Sequence, residues 1–214
     1  MFLYYITDRK QLSTNEHDAC RLLLNRIRMV ATAGVDAIQV RERDLSAREL
    51  SALGRRAVEI VRATNPSTKV LINSRSDVAI ACGADGVHLR SDDISAADAR
   101  SIFMHAGILY PMIGVSCHSR AEVELAEGNG ADFAVFGPIF AKGSEIKEEG
   151  VASLEAACSR HAAKPPMPVL ALGGVSLQNA HGCLQAGAAG IAGIRLFQNG
   201  NVDEVTSQLR KIAK

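Results

Sequence analysis

Residues 82–90, CGADGVHLR, join the end of one structural unit to the start of the next. A helical stretch stops at Gly83, Ala84 follows, and an apolar run begins, which is the chemistry of a helix C-cap and a short turn into a strand. The same format returns as NGADFAVFG (129–137) and AGAAGIAGI (186–194). Phrases repeated in this way point to quasi-repeated units that alternate helix and strand.

Working outward, runs that read as strands are FLYYIT (2–7), AIQVRER (37–43), VLINS (70–74), GVHLR (86–90), MIGVSCH (112–118), FAVFGPI (133–139), PVLALGG (168–174) and GIAGIR (190–195). Amphipathic stretches lie between them. ACRLLLNRIRMVATAG (19–34) has apolar residues at 22, 23, 27, 30 and 31 and then Gly34 as a stop, and SARELSALGRRAVEIVRAT (46–64) opens on Ser46 and Glu49, a capping box. Strands buried on both faces read as continuous apolar runs, and strand–helix–strand linkage forces parallel pairing. Eight such units in 214 residues, with no linker or low-complexity segment, predict one α/β domain over 1–214, a (β/α)8 TIM barrel.

The totals narrow the function classes. Hydrophobic residues make up 47% and charged residues 22%, and Lys plus Arg at 24 against Asp plus Glu at 23 leaves a net charge of +1. Such a balance gives no general pull toward nucleic acid or acidic membranes, and the absence of Trp removes the richest source of a base-stacking surface. No stretch approaches the roughly 18 apolar residues that span a bilayer, and MFLYYITDRK reads as a strand rather than a signal peptide. Cys20, Cys82, Cys117, Cys158 and Cys183 are scattered and odd in number, so reduced thiols in a cytoplasm are expected.

In such a barrel the active site is built from the C-terminal ends of the strands and the loops after them. Gln39, Arg41 and Arg43 alternate on one strand face that can point toward the pocket, and guanidinium groups there suit a phosphate or pyrophosphate. The competing reading is an internal ion network with Asp8, Glu42 or Asp44. Gly173 and Gly174 precede a helix expected to open at Ser176, and Gly193 and Arg195 follow the last strand; together these loops predict a phosphate site. Of the six histidines, His17, His105, His161 and His181 fall away from the rim, His88 reads as a packed core group or a catalyst, and His118 as an acid–base candidate. Asp92 and Asp93 follow the fourth strand, where carboxylates near phosphate suggest Mg2+, but with no second carboxylate nearby the favoured reading is that Asp93 or Ser95 caps the next helix.

These residues resemble the thiamin phosphate synthase/TenI superfamily over nearly the whole chain. The markers are YITD, the Q-x-R-x-[KR] strand (Gln39, Arg41, Arg43), IN-x-R-x-D-x-A (Asn73, Arg75, Asp77), GADGVHL, GVS-x-H (Ser116, His118), FGPIF, and LGG…N…AGA-x-G. The resemblance implies a (β/α)8 barrel working in thiamin biosynthesis around a phosphorylated thiazole. In the synthases of that superfamily a pyrimidine methyl pyrophosphate is joined to thiazole phosphate, with Mg2+ held by the third-strand Asp and the Asp that aligns with Asp93.

This chain departs from that pattern. The third-strand Asp is Ser74, the Gly-Gln pair after strand four is Arg90-Ser91, and the Pro-Thr-x-Thr-Lys loop becomes AKGSEIKEEG, which keeps Lys142 and Ser144. A ligand carboxylate has become a hydroxyl while cations appear at Arg90 and Arg195. The departures favour the TenI side: a thiazole tautomerase needing neither metal nor other cofactor, with His118 as proton carrier, supported by Arg41 and Arg43, because Pro138 stands where TenI enzymes carry His. Glu42 and Lys142 stand behind His118 as carriers. Gln39, Asn73, Arg75, Arg90, Ser116, Lys142, Ser144, Gly173, Gly174, Gly193 and Arg195 are then the substrate and phosphate ligands. The alternatives are a thiamin phosphate synthase with an altered Mg2+ site at Asp93, and a non-catalytic thiazole-phosphate binder. The expected partner is a phosphorylated thiazole, with neither nucleic acid nor membrane, and a homodimer is left open.

Overall fold

The computed structural model describes residues 1–140, 150–159 and 166–212. Eight parallel strands close on themselves in chain order. They are β1 (Phe2–Ile6), β2 (Ala37–Val40), β3 (Lys69–Asn73), β4 (Gly86–Leu89), β5 (Met112–Cys117), β6 (Phe133–Phe136), β7 (Val169–Ala171) and β8 (Gly190–Gly193). Around them run α1 (Glu16–Thr32), α2 (Ala47–Thr64), α3 (Ser76–Cys82), α4 (Ala96–His105), α5 (Arg120–Gly128), α6 (Gly150–Cys158), α7 (Ala180–Gln185), α8 (Arg195–Gln198) and α9 (Val202–Ile212). The predicted barrel is the barrel found. Each strand stops one to three residues before its apolar run does, because the ends of those runs belong to the mouth.

Two cores follow from the two-residue period of a strand. Leu3, Tyr5, Ile38, Val40, Val70, Ile72 and Val87 face outward against helix residues such as Leu23, Ile27, Leu53 and Val61. Tyr4, Ile6, Ala37, Leu71, Phe133, Val135, Leu170 and Ala192 fill the barrel interior. The amphipathic spacing of α2 puts Leu50, Leu53, Ala57, Val58 and Val61 on its buried side, and its capping box forms as read: Ser46 accepts from the Glu49 amide while Glu49 accepts from Ser46.

The opening phrase has a physical explanation. Gly83 caps α3 in the left-handed region, at φ 71°, as Gly130 and Gly187 do at the two related positions. In the first two phrases the next-but-one residue is Asp, and its carboxylate accepts an N–H from the neighbouring strand: Val70 to Asp85 at 2.8 Å and Ile113 to Asp132 at 2.6 Å. Asp36 does the same for Leu3 at 2.6 Å. Each Asp also has a cationic partner, Arg210 for Asp36, Lys69 for Asp85 and Arg100 for Asp132. These aspartates bind the N-terminal end of the barrel, away from the mouth. Asp132→Ala strips the Ile113 amide of its acceptor and is expected to cost about 1–3 kcal/mol in urea unfolding, with ligand binding unchanged.

Cys82, Cys117 and Cys183 are buried, and no disulfide forms among the described cysteines. Among the described residues no helix is long and apolar enough to cross a membrane. His17, His105 and His181 are exposed, as expected, and His161 lies outside the described residues.

Candidate active site

The inward parity of each strand continues past its end into the mouth. Gln39 and Arg41, Asn73, His88 and Arg90, and Ser116 and His118 therefore converge on one cavity of about 320 Å3. Ile6, Leu172 and Ile194 supply its apolar wall, and Ser91 and Asp92 lie at its rim. Six of the fourteen candidate catalytic and binding residues, Gln39, Arg41, Asn73, Arg90, Ser116 and His118, are thus brought together.

The ion network weighed against an anion site does form, but its cation is Arg9. The Arg9 side chain is 1% exposed and donates to Glu42 at 3.1 Å, to both oxygens of Asp44 at 2.7 and 2.8 Å, and to Glu16 at 2.7 Å. Thr7 donates to Glu42 at 2.5 Å and accepts the Arg41 amide at 2.9 Å. This clamp corrects three expectations. Glu42 is buried and filled with hydrogen bonds, so it is no proton carrier; burial raises its carboxyl against the lowering pull of Thr7 and Arg9. Arg43 is exposed and not on the cavity, because the turn pinned by Glu42 and Asp44 breaks the strand's alternation after Arg41. Arg41 is half-buried, with no carboxylate within ion-pair distance among the described residues. Burial, then the charge of Arg43, lowers its basicity. An anion in the mouth relieves both effects.

Below Arg41 lies a buried polar chain that sequence reasoning missed in part. Gln39 donates to the Tyr4 hydroxyl at 3.3 Å, Tyr4 meets His88 Nδ1 at 3.2 Å, and His88 Nε2 meets the Ser116 hydroxyl at 2.9 Å. In the tautomer with the proton on Nε2, the Tyr4 hydroxyl accepts from Gln39 and donates to His88 Nδ1. His88 Nε2–H then donates to Ser116, whose hydroxyl proton is left for the cavity. Burial first, and then Arg41, push the His88 pKa down to about 3, so the ring is neutral. Gly114 makes room for it: a Cβ there would sit 2.8 Å from His88 Nδ1 and 2.4 Å from Phe133 Cζ. The strand-facing parity of Tyr4 in FLYYIT was the available signal.

His118 is exposed at the rim, with Nδ1 2.5 Å from the Gly137 carbonyl. A carbonyl only accepts, so Nδ1 holds a proton and Nε2 is the atom free to exchange one.

A second cavity of about 220 Å3 adjoins the first through Leu172 and Ile194, and is lined by Gly173, Gly174, Val175, Ser176, Gly193, Arg195 and Gln11. The amides of Gly174, Val175, Arg195 and Leu196 have no acceptor among the described residues. The glycine pair has a reason beyond closeness to an anion. Gly173 and Gly174 take φ of 96° and 63°, and Cβ atoms there would lie 2.6 Å from Pro138 Cα and 2.3 Å from the Phe140 carbonyl. The helix expected at Ser176 begins later, at Ala180, because the Asn179 side chain takes the Ser176 amide at 2.7 Å.

Arg75 does not reach the mouth. It is exposed and forks onto Asp77, at 2.8 and 2.5 Å. Lys142 and Ser144 lie outside the described residues.

Mg2+ prefers an open set of carboxylate and phosphate oxygens, and the donors present do not fit it. Ser74 brings a neutral hydroxyl that already accepts from Asn73 at 3.0 Å, on a backbone at φ 60°. One Asp93 oxygen accepts the Arg90 amide at 2.8 Å and the other lies 3.4 Å from the Arg90 guanidinium. Ser95, not Asp93, caps α4. Asp93 is therefore a partner of Arg90, contrary to its reading as a metal ligand.

The family model described as thiamine monophosphate synthase matches residues 3–197. This chain belongs to that family. Among its relatives, the thiamine-phosphate synthase of Chlorobium luteolum is 41% identical over 159 residues, 74% of this chain and 72% of that one. The thiamine-phosphate synthase of Moorella thermoacetica is 37% identical over 178 residues, 80% and 79% of the two chains. The solved thiamine phosphate pyrophosphorylase from Pyrococcus furiosus superposes with a TM-score of 0.80 at 30% identity, covering 99% of this chain and 95% of that one. The family expected from the motifs is the one found. These relatives carry the name of a transferase, which favours the synthase alternative over the tautomerase expectation.

Proposed function

We propose that this chain is a thiamine-phosphate synthase, joining a pyrimidine methyl pyrophosphate to thiazole phosphate. The observation that carries the reading is the pair of adjoining cavities at the mouth, in a chain whose relatives bear that name. Gln39, Asn73 and the outward hydroxyl of Ser116 offer hydrogen bonds to a heteroaromatic ring, and Ile6, Leu172 and Ile194 exclude water beside it. The amides of the second cavity that lack an acceptor among the described residues suit the phosphate of the thiazole.

In the reaction the methylene carbon–oxygen bond breaks and its electron pair leaves on pyrophosphate. The cation that remains is stabilised by the pyrimidine, and the thiazole nitrogen closes the new carbon–nitrogen bond with its lone pair. No proton transfer is needed to form that bond, so a neutral His88 and a fixed Ser116 act by orienting the ring.

One observation favours a second reading. His118 presents an exchangeable Nε2 at the rim, which a thiazole tautomerase would use. Incubating the protein with both synthase substrates is expected to yield thiamin phosphate. No thiamin phosphate, with conversion of the carboxylated thiazole tautomer lost in His118→Ala, overturns the synthase reading in favour of the tautomerase. Binding of thiazole phosphate without turnover of either substrate leaves the carrier.

A further inference from the structure

We propose that Arg90 supplies the positive charge that a metal ion would bring to this mouth, so that the chain binds and releases pyrophosphate without a divalent cation. The inference rests on the synthase reading for its role in turnover, but on the geometry alone for the anion site.

Arg90 follows β4 at the inward parity and lines the same cavity as Arg41, Asn73 and Ser116. Its two carboxylate partners differ in kind. Asp93, with its side chain 15% exposed, holds the Arg90 amide and faces Nε, fixing one edge of the guanidinium. Asp92, 70% exposed, meets Nη2 at 2.9 Å. An exposed pair of that sort contributes little and gives way easily to a stronger ligand. A diphosphate offers two charged oxygens in the bidentate arrangement that a guanidinium fork accepts best. It can therefore replace Asp92 while Asp93 keeps the fork in place.

A second cation stands on the other side. Arg41 follows β2, Arg90 follows β4, and Asn73 ends β3 between them, so the anion is met from two adjacent directions with an amide in the middle. Arg41 is available because Arg9 has taken Glu42 and Asp44. The third-strand carboxylate that would hold a metal at this place is absent, since Ser74 carries a hydroxyl, and Asp93 is held by Arg90. When the carbon–oxygen bond breaks, the electron pair and the added negative charge go to the pyrophosphate oxygen, between two guanidinium groups that are permanently charged.

The test has two arms. In the first, inorganic pyrophosphate is titrated into the protein in EDTA by calorimetry. The wild type is expected to bind, Arg90→Gln to bind about ten- to a hundredfold more weakly, Arg90→Lys to recover part of the loss, and Asp92→Asn to bind more tightly. Pyrophosphate bound only when Mg2+ is added, or bound equally by Arg90→Gln, overturns the proposal. In the second, thiamin phosphate formation is followed in EDTA and in Mg2+. Equal rates support it, and formation in Mg2+ alone overturns it while leaving the synthase reading intact. Metal-free, Arg90-dependent binding without thiamin phosphate under either condition keeps the anion site and overturns the synthase reading instead.

Discussion

Replacing Arg9 with Met is expected to lower the melting temperature by on the order of 10 °C. The substitution leaves Glu42 buried with no cation beside it, and breaking one side of a buried ion pair costs about 3–5 kcal/mol. In a domain of this size each kcal/mol shifts the midpoint by roughly 2–4 °C. Arg9 is also the tie between the 3₁₀ turn Arg9–Gln11 and the end of β2, so its loss frees the turn that isolates Arg41. The double variant Arg9→Met, Glu42→Met separates the causes. Without the stranded carboxylate it is expected to recover most of the lost stability, since a packed apolar pair replaces a buried ionic one at little cost. A single variant that melts like the wild type would show that the clamp carries no weight. Arg9 also holds the Asp44 carboxyl well below the usual carboxylate range, so Asp44 adds stability that is lost only at low pH.

The second large effect is a loss of stability on mild acidification, set by His88. Its pKa is pushed down to about 3 in the fold by burial, from an ordinary 6.5. The neutral ring is the folded form. As pH falls through about 6.5 the unfolded chain takes up a proton that the folded chain refuses, and the stability present above that pH drains away until the folded pKa is reached. The slope approaches about 1.4 kcal/mol per pH unit, so on the order of 2 kcal/mol is lost between pH 6.5 and 4.5. That window lies above the range in which carboxylates such as Asp44 dominate. Urea unfolding at half-unit steps across it, in the wild type and in His88→Gln, reads the effect directly. The variant starts lower, because Tyr4 and Ser116 lose an ideal partner, but its profile is expected to be flatter. Parallel profiles would mean that His88 is protonated without penalty in the folded chain.

Both effects arise from groups that the motifs make visible only in part. His88 sits inside GADGVHL, where the alternation of GVHL already puts it on the face opposite Val87 and Leu89. Nothing in that phrase names Tyr4 as its neighbour, since the two residues are 84 positions apart and meet only when the barrel closes. Arg9 follows YITD, and Glu42 and Asp44 lie in the next unit. Read locally, those carboxylates belong with Arg41 and Arg43, which interleave with them.

The fold was determined by the sequence itself, because its causes are local and repeated. Apolar runs of strand length, amphipathic stretches between them and Gly caps at Gly83, Gly130 and Gly187 each act over a few residues, and eight in series leave a parallel barrel as the arrangement that buries them all. Local parity likewise delivers Gln39, Arg41, Asn73, His88, Arg90, Ser116 and His118 to one end. Only the tertiary structure decided which charges are spent and which are free. Arg9 reaches Glu42 and Asp44 first, Arg75 turns back onto Asp77, and Arg90 takes both Asp92 and Asp93. The Arg9 pairs join residues 33 and 35 positions apart and exist only because the barrel closes, whereas the Arg75 and Arg90 pairs form within two or three residues once the loops after β3 and β4 take their shape. They leave Arg41 without a counter-ion among the described residues and Asp93 held by Arg90, and so set the chemistry of the mouth.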